Sequence, residues 1–201
     1  MADKIYTGFP IIVTDGFASL GGTQEFTGDK TFSGAVVITS GVMTPAAGIT
    51  TDAETYASSV IRIGDVFLTR IVVDLTDLVG STTDTDIIGK SAVASHFGQI
   101  TAAVNGTIVA GKVTCLEVPA GGADDIDFYS ATVATGAENV LITTLTETVL
   151  ITSGGAWASG TTKGMTTVPP ADDYLYICNG EASVPGTFTA GKFVIELYGT
   201  A

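Results

Sequence analysis

A chain of 201 residues can bury a real core without disulfides or a metal, as one domain or one domain with an appendage. Its net charge of −13 argues against a nucleic-acid partner, because a phosphate backbone demands a basic face. Charged residues make up only 14%, against about 25% in ordinary soluble domains, and Thr, Ser, Gly and Ala take their place, a mix that favours strands and turns over helices.

Between Lys112 and Lys163 no basic residue occurs, while Glu117, Asp124, Asp125, Asp127, Glu138 and Glu147 fall there. Such an acidic stretch aids solubility first and suits a basic partner second. The opening MADKIYTGFP has no basic region followed by an apolar core, so no signal peptide is expected. No run of about 18 apolar residues exists, so no membrane span is expected either. Cys115 and Cys178 sit in apolar, strand-like runs and are expected as free buried thiols rather than a disulfide.

Residues 1–55 alternate short apolar pieces with Gly, Thr and Ser, with strand candidates at Ala35–Thr39 and around Ile11–Val13. Phe9, Ile11, Phe17, Phe26, Phe32 and Val36 make this segment too apolar for a solvated tail. It reads as an extended N-terminal arm that gains order on another surface, followed by a domain over 56–201. From Asp65 to Leu75 a strand is expected, with Phe67, Ile71, Val73 and Leu75 on one face and Arg70 and Asp74 on the other. Gly80–Asp86 reads as a loop.

Phe97–Val118 looks like the centre of the fold, two strands joined at Asn105-Gly106, since Asn-Gly between apolar runs signals a type I′ hairpin turn. Ala120–Asp127 is a loop by composition, and Phe128–Val133 a short strand. Val140–Ile151 is one long strand or two short ones, and Lys163–Val168 pairs briefly before Pro169-Pro170 stops it. Tyr174–Cys178 and Lys192–Tyr198 are clear strands, the latter with Phe193, Ile195 and Leu197 on one face. About eight strands at 8–12 residue spacing, with no helix of note, predict an all-β antiparallel β-sandwich. Long connections fit a jelly roll in particular.

Chemical motifs are sparse. Gly89-Lys90-Ser91 resembles the end of a phosphate loop, but position 84 is Asp where that loop needs Gly. Nucleophilic catalysis wants Ser or Cys beside an oriented base, yet His96 is the one histidine and no G-x-S-x-G elbow surrounds any serine. Zinc ligand spacings are missing. Asp124, Asp125 and Asp127, with Asp84 and Asp86, offer oxygen ligands of the kind calcium takes, without EF-hand spacing, and a solvated acidic loop is the plainer reading. Asn105-Gly106-Thr107 is formally a glycosylation sequon, read here as a turn. Trp157, Tyr174, Tyr176 and Tyr198 serve either as core-edge residues or as a sugar-stacking platform. No catalytic, cofactor or metal residue is therefore assigned.

Glu25–Thr39, EFTGDKTFSGAVVIT, resembles the Thr/Gly-rich strand segments near the N-termini of phage tail-fibre and head-appendage proteins. Over Ser58–Gly199 the chain is similar to structural proteins of tailed bacteriophages, marine ones especially. The likeness lies in Arg62–Asp65, Gly98–Thr107, Cys115–Pro119 and Thr189–Gly199, all strand and turn motifs. It implies a non-enzymatic virion protein, assembled in the host cytoplasm, that decorates and cements the capsid surface. It also implies a homotrimer bound to the major capsid protein, with no cofactor, nucleic acid or membrane partner. Residues 1–55 would lie along a neighbour by β-augmentation. The alternative is a tail- or head-fibre adhesin module that binds host-surface carbohydrate.

Overall fold

The computed structural model describes residues 56–181 and 184–201, so the expected arm over 1–55 lies outside the described residues. The first two strands, β1 (Tyr56–Ile63) and β2 (Val66–Asp74), form an antiparallel hairpin. Its two-residue loop is Gly64-Asp65, with Gly64 at φ +60°, where glycine removes the Cβ clash of that backbone region. Along β2, Phe67, Thr69, Ile71 and Val73 are buried while Val66 and Arg70 are exposed, the two-residue alternation expected from the sequence.

The remaining strands are β3 (Val79–Gly80), β4 (Thr107–Ala120), β5 (Ile126–Ala131), β6 (Glu147–Ile151), β7 (Thr162–Gly164), β8 (Tyr174–Asn179), β9 (Gly186–Thr187) and β10 (Ala190–Thr200). They build antiparallel sheets in the orders β1-β2-β10-β4-β7, β6-β5-β8 and β3-β9. The all-β antiparallel class follows directly. Val140–Ile151 resolves into a 3-10 turn (Ile142–Thr144) and then β6.

The hairpin expected over Phe97–Val118 does not form. Ala102–Asn105 is a single helical turn, α1, and only Gly106 of the Asn-Gly pair has positive φ, so no type I′ turn exists there. One cause is the Asn105 side chain, which is fully buried. Its Oδ1 accepts the Thr101 N–H at 2.9 Å and its Nδ2 donates to Thr69 Oγ1 at 2.9 Å. Those two bonds hold Asn105 in the turn of α1, and β4 starts afresh after Gly106.

Residues 97–100 pair instead with β8. The Phe97 N–H donates to Leu175 O at 2.9 Å and the Ile100 N–H to Asp173 O at 2.8 Å. Further along the same edge, the Thr85 N–H donates to Asn179 O and the Ile88 N–H to Ile177 O, both at 2.9 Å. The two pieces run antiparallel to β8 as one broken edge, interrupted by residues 89–96.

One core takes side chains from both larger sheets: Ile71 and Val73 of β2, Val113 of β4, Phe193 and Ile195 of β10, Phe128 of β5 and Ile177 of β8. Trp157, Phe128 and Phe193 meet edge to face at centroid distances of 5.2 to 6.1 Å, the geometry that ring quadrupoles favour. The Trp157 indole N–H donates to Ile126 O at 2.8 Å, so this large ring is buried without an orphaned donor. On the far side of the β6-β5-β8 sheet, Ile142 and Leu145 cover Tyr129, Ala131, Tyr176 and Cys178. That second layer buries β5 on both faces, so no alternation of burial shows in it.

Candidate functional site

The residues capable of chemistry are largely built into the fold. His96 is buried, with its ring against the edges of Tyr174 (4.9 Å between centroids) and Tyr176 (6.1 Å). Cys115 and Cys178 are free and buried. Burial pushes both thiols up, Cys178 well above its ordinary value, which disfavours the nucleophilic thiolate. Asn105 of the sequon is enclosed completely, beyond the reach of a glycosylating enzyme in the folded chain.

The acidic residues gather where β5 begins and β8 ends. Asp125 and Asp127 are both buried, and an added Cβ on Gly180 would lie 2.6 Å from Asp125 Oδ1 and 3.0 Å from Asp127 Oδ1. Asp127 Oδ1 accepts the Ser153 N–H at 2.5 Å, while the Lys163 ammonium donates to Ser153 O and, at 2.9 Å, to Ser153 Oγ. Burial raises the Asp127 carboxyl to about 6; the bond from Ser153 opposes the shift, and the charges of Asp125 and Asp84 add to it. Asp86 is held by Ser81 Oγ. No group of three or more His, Cys, Asp or Glu side chains among the described residues is arranged to hold a metal ion. Asp86, Asp125 and Asp127 are thus built into a folded corner, while Asp84 and Asp124 stay exposed, as the solvated-loop reading expected.

The aromatic residues do not gather into one platform. Trp157 and Tyr176 are core residues, Tyr174 is half-buried beside the second cluster, and Tyr198 lies on the outer face of the five-stranded sheet. A cleft of about 170 Å³ beside α1, lined by Ile100, Ile108, Val168 and Pro169, is smaller than the roughly 300 Å³ at which ligand pockets begin.

A larger accessible surface is that outer face. Strand register places its side chains in rows. One row runs Ser59, Arg70, Glu196, Lys112; the next Ala57, Val72, Val194, Thr114; the third Asp74, Lys192, Glu117. Glu196 accepts from Arg70 at 3.2 Å and lies 3.0 Å from Lys112, and Lys192 lies 3.0 Å from Asp74. The hydrogen bond and charge of Lys112 hold the Glu196 carboxyl below its ordinary value. For Asp74 burial works upward, but bonds from Thr76 and Lys192 outweigh it and the net shift is down. Beyond the first row, towards the β1–β2 loop, Ile61, Ile63 (73% exposed) and Val66 leave an apolar end in solvent. Sequence reading marked Arg70 and Asp74 as outward, but the rows depend on pairing between strands more than a hundred residues apart.

No helix among the described residues is long and apolar enough to cross a membrane. Comparison of the chain with protein-family models, with curated proteins and with solved structures finds no match.

Proposed function

We propose that the chain is a jelly roll and serves as a non-enzymatic virion protein that decorates and cements the capsid of a tailed phage. The strand order supports the first part. Taking β2, the broken edge over 85–100, β4, β5, β6, β7, β8 and β10 as eight successive strands, one sheet holds the first, eighth, third and sixth. The other holds the second, seventh, fourth and fifth, which is the interleaving of two Greek keys.

The observation that carries the second part is where the residues of the phage resemblance fall. Arg62–Asp65 make the β1–β2 loop, Gly98–Thr107 the end of the β8 edge, α1 and the start of β4, and Cys115–Pro119 and Thr189–Gly199 the adjoining strands β4 and β10. A likeness confined to scaffold suits a protein selected for shape and surface. The burial of His96, Cys115 and Cys178 supports a non-catalytic role, since a general base or nucleophile must reach its substrate.

Immunogold labelling of intact particles tests the placement: label over the capsid shell is expected, and label confined to tail tips would overturn the decoration role. A second measurement concerns the arm. Deleting residues 1–55 should leave a folded domain that no longer protects shells against heat. Equal protection by the truncated chain would remove the arm from the model.

A further inference from the structure

We propose that the outer face of the five-stranded sheet binds a second copy of this chain across a two-fold axis lying along the Val72–Val194–Thr114 row. On one side of this row stand Arg70, Glu196 and Lys112, reading plus, minus, plus; on the other stand Asp74, Lys192 and Glu117, reading minus, plus, minus. Alternation within each row follows from cross-strand pairing inside one chain. The inversion from one row to the other is not required by that pairing. It is what a face needs in order to meet itself.

Rotation about the middle row exchanges the two charged rows and keeps each strand over its own counterpart. Arg70 then faces Asp74 of the second copy, Glu196 faces Lys192, and Lys112 faces Glu117. The axis itself carries the short side chains of half-buried Val72 and Thr114 and of Val194, which its own neighbours already bury. An interface that repeats the same patch on both subunits is the isologous kind found in two-fold dimers.

Charge across the whole molecule points to the same face. The chain carries −13, so two copies repel over most of their surfaces. Here three of the eight basic residues, Arg70, Lys112 and Lys192, balance three acids, and the face is neutral. Like-charge repulsion disfavours docking through the acidic surfaces relative to this face.

The three rows hold five, five and three positions and cover roughly 400 Å² per partner, taking about 4.8 Å between strands and about 3.4 Å per residue. That is near half of a standard interface of about 800 Å² per partner, so the dimer is weak and salt-sensitive. The inference concerns the purified chain, puts a two-fold dimer where the phage resemblance implies a homotrimer, and does not depend on where the protein sits in a particle.

Sedimentation equilibrium of the full chain, up to about 0.5 mM in low salt and again in about 0.5 M salt, tests it. A dimer that grows with concentration is expected in at least one of the two, since salt screens both the −13 repulsion and the facing charge pairs. Arg70→Asp and Asp74→Arg should each weaken it at least tenfold, because each places like charges together twice in a homodimer. An equimolar mixture of the two variants should recover the dimer, since the changed residues then face each other with opposite charge. Circular dichroism verifies that both fold; should either fail, Lys112→Glu and Glu117→Lys form a second pair of the same design. A wild type monomeric in both salts, an oligomer indifferent to the reversals, or a mixture that stays monomeric would each overturn the proposal.

Discussion

Asn105 and Gly106 show how one dipeptide changes meaning with its surroundings. Asn-Gly has a high intrinsic preference for a hairpin turn, yet bonds to Thr101 and Thr69 commit Asn105 to α1. Gly106 is still required, for a different reason. At φ +69°, an added Cβ would stand 2.5 Å from Thr200 O and 2.8 Å from Phe67 Cδ2, so strain and overlap coincide. Gly106→Val is expected to cost roughly 3 kcal/mol or more, read as a drop in urea midpoint. Asp127 gives a prediction of opposite direction. Its folded pKa of about 6 lies above the ordinary 3.8, so between those values the folded chain binds more protons than the unfolded one. Stability from this group is therefore fully present below about pH 4 and falls as pH rises through 6, by an amount of order 3 kcal/mol at 1.36 kcal/mol per unit. Asp127→Asn should flatten that fall and raise stability at pH 7, as urea melts at pH 4.5 and 7 would register.

At the scale of elements, β2 and β10 were legible because a strand with one buried face writes its period into the chain. The hairpin signal at Gly64-Asp65 was also present, a Gly-Asp pair between strand-like runs, but β1 carries Ala and Ser where a stronger strand former would announce it. The central hairpin failed because residues 97–100 find their backbone partners on β8, more than seventy residues away. Local pattern contains no information about such a partner. The tie between α1 and β2 rests on Asn105 Nδ2 and Thr69 Oγ1, both from fully buried residues. Asn105→Ala removes that bond and orphans the Thr101 N–H, so a loss of about 1–3 kcal/mol is expected in urea melts. Hydrogen exchange should speed most over residues 101–106.

At the scale of the whole molecule, composition and strand spacing were enough to set the all-β class, and the scarcity of charged residues to disfavour helices. The identity of the buried strands followed from side-chain period, a property of a single segment. What the tertiary structure alone decided were relations between segments. It drew Asp125 and Asp127 out of solvent against Gly180, and set Arg70, Glu196 and Lys112 in line across three strands. It also returned 85–100 to β8 as one broken edge. Each depends on strand register across long separations, which is chosen by the packing of a shared core.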